Sequence, residues 1–213
     1  MTADIKVGSQ FSPVQKRIQQ AALRLFAEKG VYGVNVKDLA RSAKVARGTI
    51  YNNQHASMEK MFQEIASQLS VEMHQRVVAT MVDVDDPVER LAIGIRLFVI
   101  RAHQEPDWGA FILRFALNDS AMREMWSGPP RKDVAAGIAR GRYKLRPGQL
   151  PVAIVMIASA ALGGIFLVLR AHQGWRKAGS DAAELTLRAL GVPAREAQRI
   201  ATAELPELAP APR

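Results

Sequence analysis

The chain has 213 residues, 48% of them hydrophobic, enough to bury a substantial core as one domain or two. Cysteine is absent, which excludes disulfides, thiolate metal sites and cysteine nucleophiles, and the polar start MTADIKVGSQFSP lacks the apolar stretch of a secretory signal, so a cytoplasmic protein is expected. The net charge of +9 is uneven: residues 1–60 hold ten basic and four acidic side chains, a net of +6, against +3 for the other 153, so a polyanion is expected to meet the first part only.

Ser12, Pro13 and Gln15 write a helix start, with a capping box and a proline suited to the first turn. Ile18, Ala21, Ala22, Leu25 and Phe26 recur at helical spacing, and Gly30 supplies a stop. Asn35 caps a second helix, where Asp38 favours the positive dipole end and Val36, Leu39, Ala40 and Ala43 form the buried stripe. A turn of three residues, KVA at 44–46, leads to a third helix, RGTIYNN. Val45 and Ile50 face inward there, and Arg47, Thr49, Tyr51 and Asn52 face out.

Beyond His55 the helices lengthen. Ser57 caps one that runs to about Met81, Asp86-Pro87 opens the next, and Pro106-Asp107 opens a short one. Ser120 to Trp126 is a further helical piece, broken by SGPP at 127–130, after which helix resumes over 131–143 and Arg146-Pro147-Gly148 turns the chain. Residues 151–169 carry no charge. A loop holding Gly174 and Gly179 follows, then helices at about 181–190 and 193–204 and a proline-rich tail expected to fray. With almost no strand signal, the chain reads as all-α, with nine or ten helices.

The segment 34–53 is the most specific feature. Two helices of a bundle would give a similar pattern, but the turn is too short for a packed antiparallel pair. The third helix is too short to stand alone in water and too polar to add much core. Its outward side chains are those that bind phosphate oxygens and base edges. Two such helices joined by a tight turn can present the second to a DNA major groove.

Residues 13–62, and AALRLFAEKGVYGVNVKDLARSAKVARGTIYNN above all, resemble the N-terminal domain of the TetR/AcrR family of transcriptional repressors. The resemblance implies a three-helix helix-turn-helix DNA-binding domain at 10–56, with its motif at 35–54. It implies a larger helical bundle for dimerisation and ligand binding at 57–205, and leaves a flexible tail at 206–213. It carries DNA contacts onto Asn35, Lys37, Lys44, Arg47, Gly48, Thr49, Tyr51 and Asn52. Arg47 and Tyr51 would meet phosphates, Gly48 would admit the DNA backbone, and Asn52, Thr49 and Lys37 would lie nearest the bases. The sequence departs from the family pattern in four places: Lys44 replaces a turn glycine, Ala46 a serine cap, Asn53-Gln54 an aromatic, and Met58 a lysine that Lys60 stands near.

The run 151–169 is long enough to span a membrane. Its centre is rich in small residues (Ala158, Ser159, Ala160, Ala161, Gly163 and Gly164), which suits close helix packing instead, so no membrane is expected. The resemblance implies a homodimer through 151–171 and 180–204, reading a palindromic double-stranded operator. It also implies a pocket for an unknown small-molecule effector, with Phe98, Trp108, Phe111, Phe115, Met122, Trp126 and Met156 as lining and Arg96, Arg101 and His103 as polar anchors. Residue by residue, ordinary core packing is the stronger account of these side chains. The four histidines lack metal spacing and no catalytic motif is present, so neither enzyme activity nor a cofactor is expected. A small helical protein-interaction module and a single-span membrane protein are the alternatives.

Overall fold

The computed structural model describes residues 12–52, 57–122, 124–146 and 148–211. Among these the chain is all-α, with eleven α-helices, one 3₁₀ turn at Ser120–Met122 and no strand. The first three helices form a head: α1 Pro13–Lys29, α2 Val36–Ala43 and α3 Arg47–Asn52. Both arms of the expected capping box are present on α1, where the Ser12 N–H donates to Gln15 Oε1 at 2.7 Å and the Gln15 N–H to Ser12 Oγ at 3.2 Å. Gly30 ends that helix at φ 75, a conformation a side chain would resist.

The head does not close its core alone. α4 Met58–Thr80 contributes the buried Met61 and Phe62, and the Phe62 ring meets Phe26 edge-on at 5.6 Å. Phe62 also touches Phe111 and Phe115 of α6 Pro106–Phe115, at 5.5 and 4.8 Å. The division expected at residue 57 therefore runs through a shared core. Arg114 of α6 reinforces the join, its Nη1 donating to the Ala27 and Glu28 carbonyls at 2.9 and 3.0 Å. Those carbonyls belong to the last turn of α1, which has no partners of its own for them.

In the body, α5 Pro87–Gln104 is the central rod, with buried residues from Val88 to Ala102, packed against α9 Leu150–Leu169 and α10 Trp175–Ala189. Contact with α9 is close because Gly164 leaves room: a Cβ there would lie 2.7 Å from Val99 Cγ2. Gly179, expected in a loop, instead sits inside α10, which starts six residues before the expected boundary of 181. A Cβ on Gly179 would lie 3.5 Å from the Arg96 Cα, so the glycine serves the approach of two helix backbones rather than a turn.

The Pro-Pro pair expected to interrupt the chain opens α8 Pro129–Ala139, because proline is accepted in a first turn. α7 Glu124–Ser127 precedes it, and α11 Ala194–Thr202 closes the series. The helix ends at Ala139 rather than near 143, since Tyr143 folds back onto Gly137 and donates its hydroxyl to the Pro87 carbonyl at 3.0 Å. Arg142 binds Asp86 at 2.6 Å and Glu196 at 2.7 Å, tying the starts of α5 and α11 to the same turn. The terminal segment, expected to be free, is held at least as far as Ala209. Its N–H donates to Thr80 Oγ1 at 2.9 Å, its carbonyl accepts from Arg76 Nε at 2.7 Å, and Leu205 and Leu208 pack on the core. α9 is long and apolar enough to cross a membrane, but the side with Ile154, Ile157, Ala161 and Ile165 is buried within the body.

Candidate nucleic-acid interface

The head places α3 by anchoring one side and leaving the rest open. Ile50 is 1% exposed and anchors the short helix in the core beside α2, while Arg47, Gly48 and Tyr51 face solvent and Thr49 is half-buried. Six residues cannot hold a helix by themselves, so this anchor and the preceding turn fix its direction. Lys44 makes the turn in the left-handed conformation, φ 55 and ψ 50, and its N–H reaches back to the Arg41 carbonyl at 3.2 Å. The adjacent Val45 N–H donates to the Ala40 carbonyl at 3.0 Å. The glycine that usually takes such a position is replaced here by a lysine whose ammonium stands exposed beside α3.

Asn35 acts first as a cap. Its Oδ1 accepts from the Asp38 N–H at 2.9 Å, and its Nδ2 donates to Asp38 Oδ2 at 3.2 Å. Lys29 donates to that same oxygen at 3.0 Å, and this hydrogen bond holds the Asp38 carboxyl below its ordinary range. Arg24 of α1 donates to Ser42 Oγ at 2.8 Å, so α2 is pinned to α1 at both ends. Lys37 is exposed on the first turn of α2.

Gly48 carries a specific message. It is exposed, lies inside α3, and a Cβ built on it would meet no atom within 4 Å. Nothing in the protein requires the missing side chain, although glycine costs a helix about 1 kcal/mol relative to alanine. An external surface that must come close would explain it. Tyr51, 65% exposed, stands one turn along. Tyr32 was not among the expected contacts, yet it is 91% exposed in the loop between α1 and α2. The signal in the sequence was an aromatic set between Gly30 and Gly33. Gly33 itself admits no side chain, because a Cβ would collide with the Lys29 carbonyl oxygen. Residues 10–11 and 53–56, including the Asn53-Gln54 departure, lie outside the described residues.

The body contains a second feature, a narrow cavity of about 40 Å³ bounded by α4, α5, α7, α8 and α9. Of the expected lining only Phe98 and Trp126 reach it. Phe111 and Phe115 join the core shared with the head, and Trp108 lies under the Arg101 guanidinium, 4.5 Å from its ring centre. Met122 is fully buried elsewhere, and Met156 is half-buried against the core. The expected anchors are also displaced. Arg101 is spent on Glu72 and Glu105, His103 stacks on Trp175, and Arg96 packs along Gly179. The polar side chains that do line the cavity are His74, Arg90 and Asp133. No single stretch of sequence brings them together, since they come from three helices. Among the described residues no cluster of His, Asp or Glu could hold a metal ion.

Comparison with known proteins places both halves. The model of the bacterial regulatory proteins of the tetR family matches residues 18–65, and that of the tetracyclin repressor-like C-terminal domain matches 86–203. No curated protein matches the chain. Among solved structures, RolR in complex with resorcinol is 24% identical, with 92% of this chain and 96% of that one covered and a TM-score of 0.69. The fatty acid degradation regulator FadR from Bacillus halodurans is 18% identical, with coverages of 87% and 100% and a TM-score of 0.70. FadR from Bacillus subtilis with stearoyl-CoA is 19% identical, with coverages of 81% and 97% and a TM-score of 0.67.

Proposed function

The chain belongs to the TetR family of bacterial regulatory proteins and is a DNA-binding transcription regulator, and from that premise we propose a homodimeric repressor that a small molecule releases from a palindromic operator in the cytoplasm. The observation that carries the reading is α3 itself: fixed from behind by Ile50, with Arg47, Gly48 and Tyr51 open to solvent on a head that holds most of the excess positive charge. Arg47, Lys37 and Lys44 supply charge for phosphates and Tyr51 a hydroxyl. Thr49 and Asn52 are assigned to base edges, and Asn35 orients α2 through its cap.

One such helix reads too few base pairs to be selective, so a second copy is required. Its support is a stripe along α9: Val152, Val155, Ser159, Gly163 and Phe166 recur at three- and four-residue spacing and face solvent, and Leu185 is exposed on α10. An apolar stripe of this kind on a helix already half inside a core is suited to a matching copy of itself, in line with a dimer through 151–171 and 180–204. The effector would bind in the body cavity, and it would act only by favouring a separation of the heads that no longer fits successive turns of duplex.

The test is DNA binding by the whole protein, using duplexes selected from genomic fragments. Affinity should fall with salt on a log–log slope of about −0.9 for each phosphate contact. Tyr51→Phe should weaken binding to every duplex alike, and Asn52→Ala should change which duplexes are preferred. If neither substitution altered binding to any DNA, α3 would not be the reading element.

A further inference from the structure

The end of the body where α9 gives way to α10 is turned toward the head. α5 reaches that end at Gln104, and its His103 ring stacks on Trp175, the first residue of α10, at 6.3 Å. α6 then begins at Pro106 and packs on α1. Glu105, Pro106 and Asp107 line a cleft whose other wall is Arg17, Arg24 and Lys44 of the head. Residues 170–177 crowd positive charge onto this same end, where Arg170, His172, Arg176 and Lys177 are all exposed.

The turn that carries these charges is fixed. Ala171 takes a left-handed conformation, φ 55, and the His172 N–H donates to the Leu167 carbonyl at 2.9 Å. Arg170 Cζ lies 5.9 Å from the Phe166 ring centre and Arg176 Cζ 4.3 Å from that of Trp175, so each cation is held over a ring. Among the described residues neither guanidinium has a carboxylate within ion-pair distance. The carboxylates of this region are committed elsewhere. Asp181 binds Lys177 at 2.6 Å and Gln173 at 2.9 Å, and Glu105 binds Arg101 at 3.2 Å and Arg76 at 3.6 Å. Helix stability does not account for the cations, since the first turn of α10 holds no acidic residue although its dipole favours one and disfavours Arg176 and Lys177. An anion from outside the chain would turn that cost into a gain.

Pairing of two copies sharpens the conflict. Phe166 belongs to the exposed α9 stripe, and the His172 ring lies 6.0 Å from it, so the turn borders the face given to the second copy. A twofold axis there sets two such turns side by side, between the two heads, and their like charges repel unless an anion spans both. With the heads in major grooves about 34–36 Å apart, the duplex between them passes beneath this end. We propose that residues 170–177 of the two copies form one basic surface that attracts the phosphates at the operator's centre, between the half-sites. It adds affinity and salt dependence without reading bases, because its cations answer phosphate charge alone. The assignment rests on the dimer reading of α9 and α10.

Fluorescence anisotropy of the whole protein tests it on two duplexes: the selected operator, and the same sequence with uncharged methylphosphonate linkages between the half-sites. The parent should bind the second about tenfold more weakly. The double variant Arg170→Gln/Arg176→Gln should lose about as much on the first duplex, lose nothing further on the second, and show a log–log salt slope shallower by about 0.9 for each contact removed. Arg170→Lys/Arg176→Lys, which keeps both charges, should retain most of the parent's affinity. Equal binding of the two duplexes by the parent, or an equal loss on both in the glutamine variant, would overturn the assignment. Neutral linkages inside the half-sites test α3 separately: if those left binding unchanged, the recognition-helix reading would fail whatever the centre did. Sedimentation of the parent as a monomer on the operator would remove the dimer reading, and this surface with it.

Discussion

Lys44 and Gly48 are each the wrong residue for their local backbone, and they are wrong in opposite senses. Lys44 holds a left-handed conformation that disfavours a side chain by about 1–2 kcal/mol, and Gly48 occupies a helical position that favours one. Lys44→Gly should therefore raise the thermal midpoint, by less than the full strain because the unfolded chain gains freedom, and should flatten the salt dependence of DNA binding. Gly48→Ala should also stabilise the fold, by up to about 1 kcal/mol, yet weaken DNA binding; melting curves and fluorescence anisotropy separate the two effects. If Gly48→Ala bound DNA as tightly as the parent, no phosphate backbone would approach there. Residues of local consequence were legible in the sequence: Ser12, Asn35, Ser57 and Asp86 all cap the helices their spacing foretold. Arg90 and Arg114 were not legible. The carboxylate that Arg90 meets lies 43 positions away and the carbonyls that Arg114 meets lie 86 and 87 away, and no short-range pattern records such pairings.

Among the helices, the sequence was most informative where one side of an element is buried and a cap marks its start. α1, α2, α4 and α5 began where Ser12, Asn35, Ser57 and Asp86 placed them. It misled where glycine or proline served packing between elements, as at Gly179 inside α10 and Pro129 at the head of α8. The junction of α5, α8 and α11 at Arg142 gives a pH test. Burial of Asp86 opposes its ionisation, but the Arg142 guanidinium and the Val88 N–H outweigh that and hold its carboxyl below the ordinary value. A depressed carboxyl adds stability above its unfolded pKa of about 4 and loses it as pH falls through the folded value. The thermal midpoint should thus drop on acidification below about pH 4, and drop less steeply in Asp86→Asn, which starts from a lower midpoint at neutral pH. Parallel curves for the two proteins would remove Asp86 from the account.

In the whole molecule, affinity for DNA and association of two copies should be one property. Val155 is 55% exposed at the middle of the α9 stripe. Val155→Arg should leave melting of the single chain nearly unchanged, convert the sedimenting species to monomer, and lower operator affinity by orders of magnitude, since two heads would no longer bind as one. A monomeric variant with full affinity would contradict the paired arrangement. The far end of the chain adds a constraint of a different kind. Residues 76 and 80 find their mates at residue 209, more than a hundred and twenty positions later. During synthesis α4 therefore lacks this brace until residue 209 has emerged, long after the helix itself. The DNA-reading end waits as well, since its core takes Phe62 from α4 and touches Phe111 and Phe115 of α6, so reader and body mature together rather than in turn.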